Sequence, residues 1–222
     1  MKNTFRLEKN WTQDELWQGC ILVSIANAIF VADCPELSYE HSWDGFSYST
    51  NNSQGSRGTI SFGENFFVAG MRNDHYLSDK VSAIEYFEGA ADAEKKFAEE
   101  EALQYLLDDV DGETLSSITT AFWGNKNETF SHHPFDEMME KGGELFIFQS
   151  LDPESAFEAC EEDYELTSEQ LSLLRNLYYK KINNPCKKIL LSQSDIEAIG
   201  ATDPEGIEES KTSFAEIGIE WN

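Results

Sequence analysis

The 222-residue chain sets 42 Asp and Glu against 16 Lys and Arg, a net charge of −26. So acidic a surface repels nucleic acid and anionic membranes, because binding phosphate needs cations that displace counterions; the partner it favours is a basic protein, whose association such a field steers. The length suffices for one core burying roughly three quarters of the unfolded chain's surface, and Cys20, Cys34, Cys160 and Cys186 follow neither zinc spacing nor a dense disulfide framework, so no metal or cofactor and a reduced, cytoplasmic setting are expected.

The first residues, MKNTFRLEKNW, contain no apolar run of the signal-peptide kind, and the chain is expected to stay where it is made. Thr12 and Glu15 have capping-box spacing, with Trp11 placed to pack on Leu16, so a helix is predicted from Gln13 to about Ala32. Only Ser24 and Asn27 interrupt its apolar run after Cys20, which predicts burial on most sides. Asp33-Cys34-Pro35 ends it. Alternation over Phe46 to Thr50 and Arg57 to Phe62 predicts paired strands joined by a polar loop, and Gly63-Glu64 turns into a strand over Asn65 to Arg72. A helical region is predicted from Lys80 to Val110, broken near Gly89, with Phe97, Leu103, Leu106 and Leu107 on its apolar stripe. A strand is expected from Thr114 to Trp123, a helix over Pro134 to Lys141, and a strand over Glu144 to Ser150. Capping signals at Asp152-Pro153 and at Thr167 with Gln170 place helices near 153–164 and 168–182. A strand at Lys187 to Leu191 and a helix opening at Asp203-Pro204 follow. The expected architecture is a single α+β domain over 1–222 with a buried N-terminal helix, an antiparallel meander and a mainly helical last third, and a possible soft subdivision near 125–130.

Cys20 is the candidate nucleophile, sharing a polar helix stripe with Gln13, Ser24 and Asn27; His41 or His132 would be its base, and Asp44 or Asn27 would orient that base. The helix start two turns earlier argues against it, since a reactive thiolate is favoured at a helix N-terminus. His132 and His133 are adjacent and point different ways on a regular element, so a metal site there requires a loop that converges them with Asp136. DDVDGE lacks the calcium-loop spacing, and the glycines of Gly55-Ser56-Arg57-Gly58 precede a strand, as turn residues do.

Acidic residues concentrate between Glu85 and Glu113 and between Asp136 and Glu169, whereas Gln170 to Ser194 carries Arg175, Lys180, Lys181, Lys187 and Lys188 and no acid. Solvated helix faces that pair with one another are one reading. An acidic docking face is the other, and its candidates are Glu99, Glu100, Asp108, Asp109, Glu161, Glu162 and Asp163. The hairpin region adds Trp43, Asp44, Tyr48 and Arg57, the composition of an interface hot spot. In size, charge and lack of a catalytic motif the chain resembles the small acidic inhibitors of bacterial toxin systems, although no motif carries that likeness. The expectation is a non-enzymatic binding protein that neutralises or regulates a basic partner such as a toxin or nuclease. The alternatives are a thiol-dependent hydrolase or transferase using Cys20, and a structural component of a larger assembly.

Overall fold

The structure is a computed structural model that describes residues 4–9, 11–77, 81–110 and 112–221. Strand β1 (Phe5–Arg6) precedes helix α1 (Gln13–Phe30), and strands β2 (His41–Asp44), β3 (Ser47–Asn51), β4 (Ser56–Phe62) and β5 (Phe66–Asn73) follow. Next come α2 (Asp92–Glu100), β6 (Leu107–Val110), β7 (Glu113–Ser116), β8 (Thr120–Asn125), β9 (Thr129–Ser131) and α3 (Phe135–Glu140). The last third holds α4 (Pro153–Asp163), α5 (Ser168–Asn183), β10 (Ile189–Leu191), α6 (Gln193–Ile199), α7 (Pro204–Glu216) and β11 (Ile219–Trp221). The fold is α+β, antiparallel pairing dominates, and among the described residues no helix is long and apolar enough to cross a membrane.

The chain folds into two compact units, each assembled from segments distant in sequence. One is Met1–Leu16 with Asp44–Ile147; the other is Trp17–Trp43 with Phe148–Asn222. Residues 125–130, expected as a soft boundary, run from the end of β8 through the turn into β9, where the Asn125 side-chain oxygen accepts from the backbone N–H groups of Asn127 and Glu128.

In the first unit strands lie in the order β1-β9-β8-β5-β4-β3, each neighbour antiparallel. β5 and β8 are buried over nearly their whole length, which is why they read as continuous apolar runs and not as alternation. One face of the sheet carries Val68, Ala121 and Trp123 and is covered by α2 and the single-turn helices at 83–87 and 102–106, which contribute Tyr86, Phe87, Ala98, Leu103 and Leu106. Gly70 allows that covering layer to approach, since a Cβ there would lie 3.0 Å from the Leu106 side chain. Tyr48, Phe122 and Phe146 form an aromatic group that Trp11 joins edge-on to Phe122 at 5.3 Å.

In the second unit α1 is surrounded by helices. Its Ile21 to Ile29 side chains pack with Phe157, Leu174, Leu177, Tyr178 and Phe214. Gly206 lets α7 run against the end of α1, where a Cβ would sit 2.0 Å from the Ala32 carbonyl oxygen, and Ser210 donates to the Ala28 carbonyl at 2.6 Å. The parallel pair β10–β11 closes this unit.

Three expectations need correction. The helical region expected over Lys80 to Val110, whose first residue lies outside the described residues, is a series of short turns around α2. Its chain leaves helical geometry at Glu101 (φ −123°, ψ −84°), and Leu107 opens β6, which pairs with β7. Thr114 to Trp123 is two strands, because β7 pairs with β6 while β8 pairs with β5. Glu144 to Ser150 is two 3-10 turns. Phe146 and Gln149 are buried while Ile147 is exposed, so its burial recurs every three residues, as in a 3-10 helix. Helix α6 was missed although Ser192 and Asp195 make its capping box.

Candidate interaction surface

Cys20, the candidate nucleophile, is not placed to react. Cys20 lies in mid-helix, fully buried, and burial raises its thiol well above the ordinary range. No helix N-terminus lowers it and no thiolate forms near neutral pH. His41 accepts or donates through Nε2 to the Tyr164 hydroxyl at 3.1 Å, and burial pulls its imidazole down to about 4. Asp44 is exposed and accepts from the Tyr105 hydroxyl at 2.9 Å.

His132 and His133 do meet, with ring centroids 4.7 Å apart and Tyr86 packed on both. His133 Nδ1 lies 2.9 Å from the Thr120 hydroxyl, and its Nε2 lies 3.3 Å from Lys141 Nζ and 3.5 Å from Glu137. A lysine ammonium donates, so Nε2 accepts and Nδ1 carries the proton toward Thr120. Nδ1 so protonated donates to the Thr120 hydroxyl and cannot act as its base, and Thr120 is fully buried. Asp136 is exposed on α3, and among the described residues no group of three His, Cys, Asp or Glu could hold a metal. Of DDVDGE, Asp111 lies outside the described residues; Asp109 Oδ1 accepts from Gly112 N and shapes the β6–β7 turn.

The expected hot spot is redistributed. Trp43 is partly buried against the second unit's core, its indole N–H donating to Ser24 and its backbone N–H to Glu216, both at 2.8 Å. Tyr48 is fully buried beside Phe146 and presents nothing to a partner. Arg57 stands opposite Arg72 in the β4–β5 register, donates to the Leu107 carbonyl at 3.3 Å, and keeps a buried Nε without a partner. Arg72 bonds Asp74 at 2.6 Å and also Asp108, whose carboxyl its guanidinium holds below the usual range. Asp108 is thus engaged with Arg72 within the chain while its side chain stays partly exposed. Glu99, Glu100, Asp109, Glu161, Glu162 and Asp163 are exposed, Glu100 pairing with Lys96 at 3.6 Å and Asp163 raised by burial and by Glu162.

A different aromatic takes the exposed place. Asp44 ends β2, Gly45 turns the chain at φ +59°, and Phe46 projects 45% exposed. Glycine reaches that left-handed conformation without the Cβ penalty. The Phe46 carbonyl accepts from Phe62 N at 3.0 Å, which fixes the backbone from which the ring departs. The ring stacks on Phe97 of α2 (5.5 Å between centroids, 29° between planes), and Phe97 meets Phe66 edge-on at 5.2 Å. Tyr105, 37% exposed, bonds Asp44. Burial and the Asp44 carboxylate both raise its hydroxyl, and Glu101 adds to this. Glu100 follows Phe97 by three residues on α2, a spacing that places side chains on one side of a helix. The result is a three-ring aromatic ledge whose most exposed member, Phe46, follows Asp44 by two residues, with the Tyr105 hydroxyl bonded to Asp44 and Glu101 near Tyr105.

Asp44 is the residue of the expected hot spot that stays at this surface. Phe46 was missed because its alternation with Tyr48 assigns both to one strand face; Gly45 directly before it is the signal of a turn. Comparison with protein-family models, with curated proteins and with solved structures returned no significant match.

Proposed function

We propose that this is a non-enzymatic acidic binding protein that neutralises or regulates a basic protein partner of the toxin or nuclease class in the cytoplasm. The observation that carries the reading is the aromatic ledge at Phe46, Phe97 and Phe66 with its border of carboxylates. Exposed aromatic anchors supply short-range affinity, and a surrounding negative field speeds encounter with a cationic surface. The acid excess is not consumed internally, since 16 Lys and Arg cannot pair off 42 Asp and Glu. All four cysteines are free thiols, in keeping with a reduced compartment. The test is to immobilise the full chain, load lysate of its source cells and elute with a salt gradient. A basic protein should be retained, should leave as ionic strength rises, and should lose its own activity when the chain is added back. A tightly held partner whose affinity ignores salt, or one that is itself acidic, overturns the reading.

A further inference from the structure

We infer that the ligand of the Phe46 ledge is the guanidinium of an arginine presented by the partner, an inference that rests on the binding reading above. One face of the Phe46 ring stacks on Phe97 while the residue is 45% exposed, which leaves the opposite face available to a ligand from solvent. An aromatic face attracts cations, arginine more often than lysine, because the planar guanidinium stacks and is weakly hydrated. Asp44 is two residues away and Glu101 lies close enough to act on Tyr105, which bonds Asp44. Asp44 and Glu101 thus bring negative charge to the neighbourhood of this ring, which a guanidinium complements.

The chain builds this arrangement itself in its second unit. Arg175 lies over the Phe157 ring at 4.2 Å and its Nη1 bonds Glu154 at 2.6 Å. Lys211 lies over Trp221 at 5.7 Å while bonding Glu208 at 2.7 Å. In both cases an aromatic face and a nearby carboxylate hold one cation together. Asp44 and Phe46 supply the same two ingredients at the surface, with no cation of the described chain over the ring.

The probe is hexa-arginine titrated into the labelled full chain at about 20 mM salt and followed by amide NMR, with hexa-citrulline as the neutral isostere and hexa-lysine as the non-planar cation. Hexa-arginine should shift the amides of residues 44–47 and 100–105 most, hexa-lysine should bind more weakly, and hexa-citrulline should not bind. Phe46→Leu keeps an apolar side chain and removes the π face; it should weaken hexa-arginine about 5-fold or more and abolish the preference over hexa-lysine. Asp44→Asn should weaken it about 3-fold, and it decides the matter should Phe46→Leu disturb the spectrum beyond its neighbourhood. The double change Glu161→Gln and Glu162→Gln, which removes exposed charge on α4, should alter binding less than either. If hexa-arginine binds equally well to Phe46→Leu and Asp44→Asn and its shifts follow the α4 acids, the guanidinium inference is wrong while the acidic-binder reading stands. If no cationic peptide binds at all, both fall.

Discussion

Tyr48 and Phe46 are two residues apart and have opposite fates. Tyr48 sits in β3 opposite Ile60, fully buried beside Phe146. Phe46 sits one residue before that strand, half in solvent over Phe97. Strand alternation alone would place them on one face, but Gly45 at φ +59° makes Phe46 part of a turn. The interior of this sheet and its rim thus draw on the same residue types for different ends: inside, aromatics set stability; at the rim, an aromatic left open is available for recognition.

The contrast between interior and rim is tested hardest at Tyr48. Truncating Tyr48→Ala deletes a fully buried ring from a layer bounded by Ile60 and Phe146 and leaves a cavity. The expected loss is about 3–5 kcal/mol, the range for large aromatics in cores, measured by denaturant unfolding. A loss below about 1 kcal/mol would mean that this layer collapses freely and that interior and rim are not distinct.

A second effect is read with pH. Burial, Lys141 and His132 pull the His133 imidazole down to about 4, against the opposing pull of Glu137, while burial alone brings His41 to about 4. Both folded-state values lie below the ordinary 6.5, so between pH 6.5 and 4 the unfolded chain binds protons that the folded chain refuses. Stability is full above about pH 6.5 and is lost as pH falls toward about 4. Thermal melting should show a lower midpoint at about pH 5 than at about pH 7, and His133→Gln should flatten that slope. An unchanged slope in that variant would mean that His133 does not carry the effect. The rim predicts no such dependence, since Phe46 and Phe97 do not titrate.

Much of this contrast is legible in the chain. Local chemistry reports itself: the Thr12 and Glu15 capping box, the Asp152-Pro153 and Thr167 caps and the apolar stretch of α1 all appear where the residues place them. What escapes is decided by pairing partners distant in sequence. Leu107 reads as the last member of a helical stripe but joins β6, because β7 offers backbone partners that a helix cannot use at the same time. Arg57 reads as an exposed anchor, yet its place opposite Arg72 and beside the Leu107 carbonyl depends on the β4–β5 register. At the ledge, Asp44 was recognisable from composition. Phe97 and Phe66 were not, since Phe97 meets both Phe46 and Phe66 only once the α2 segment lies against β5.

The smallest expected effect is the most diagnostic of the rim. Phe46 makes one stacked contact with Phe97 and no side-chain hydrogen bond, and nearly half of it already faces water. Replacing it by leucine keeps most of the apolar area against Phe97 and gives up the ring pairing, which is worth about 0.5–1.5 kcal/mol when fully formed. Exposure on the other face reduces what the ring contributes, and solvation of the smaller side chain returns part of it. Phe46→Leu should therefore unfold within about 0.5 kcal/mol of the parent chain, in the range of ordinary surface substitutions, when both are titrated with urea under identical salt. A loss above about 2 kcal/mol would place Phe46 among the residues that hold α2 to the sheet, making its exposure incidental to packing. A near-neutral outcome leaves an open aromatic ring, bordered by acids, with no stability role to account for it.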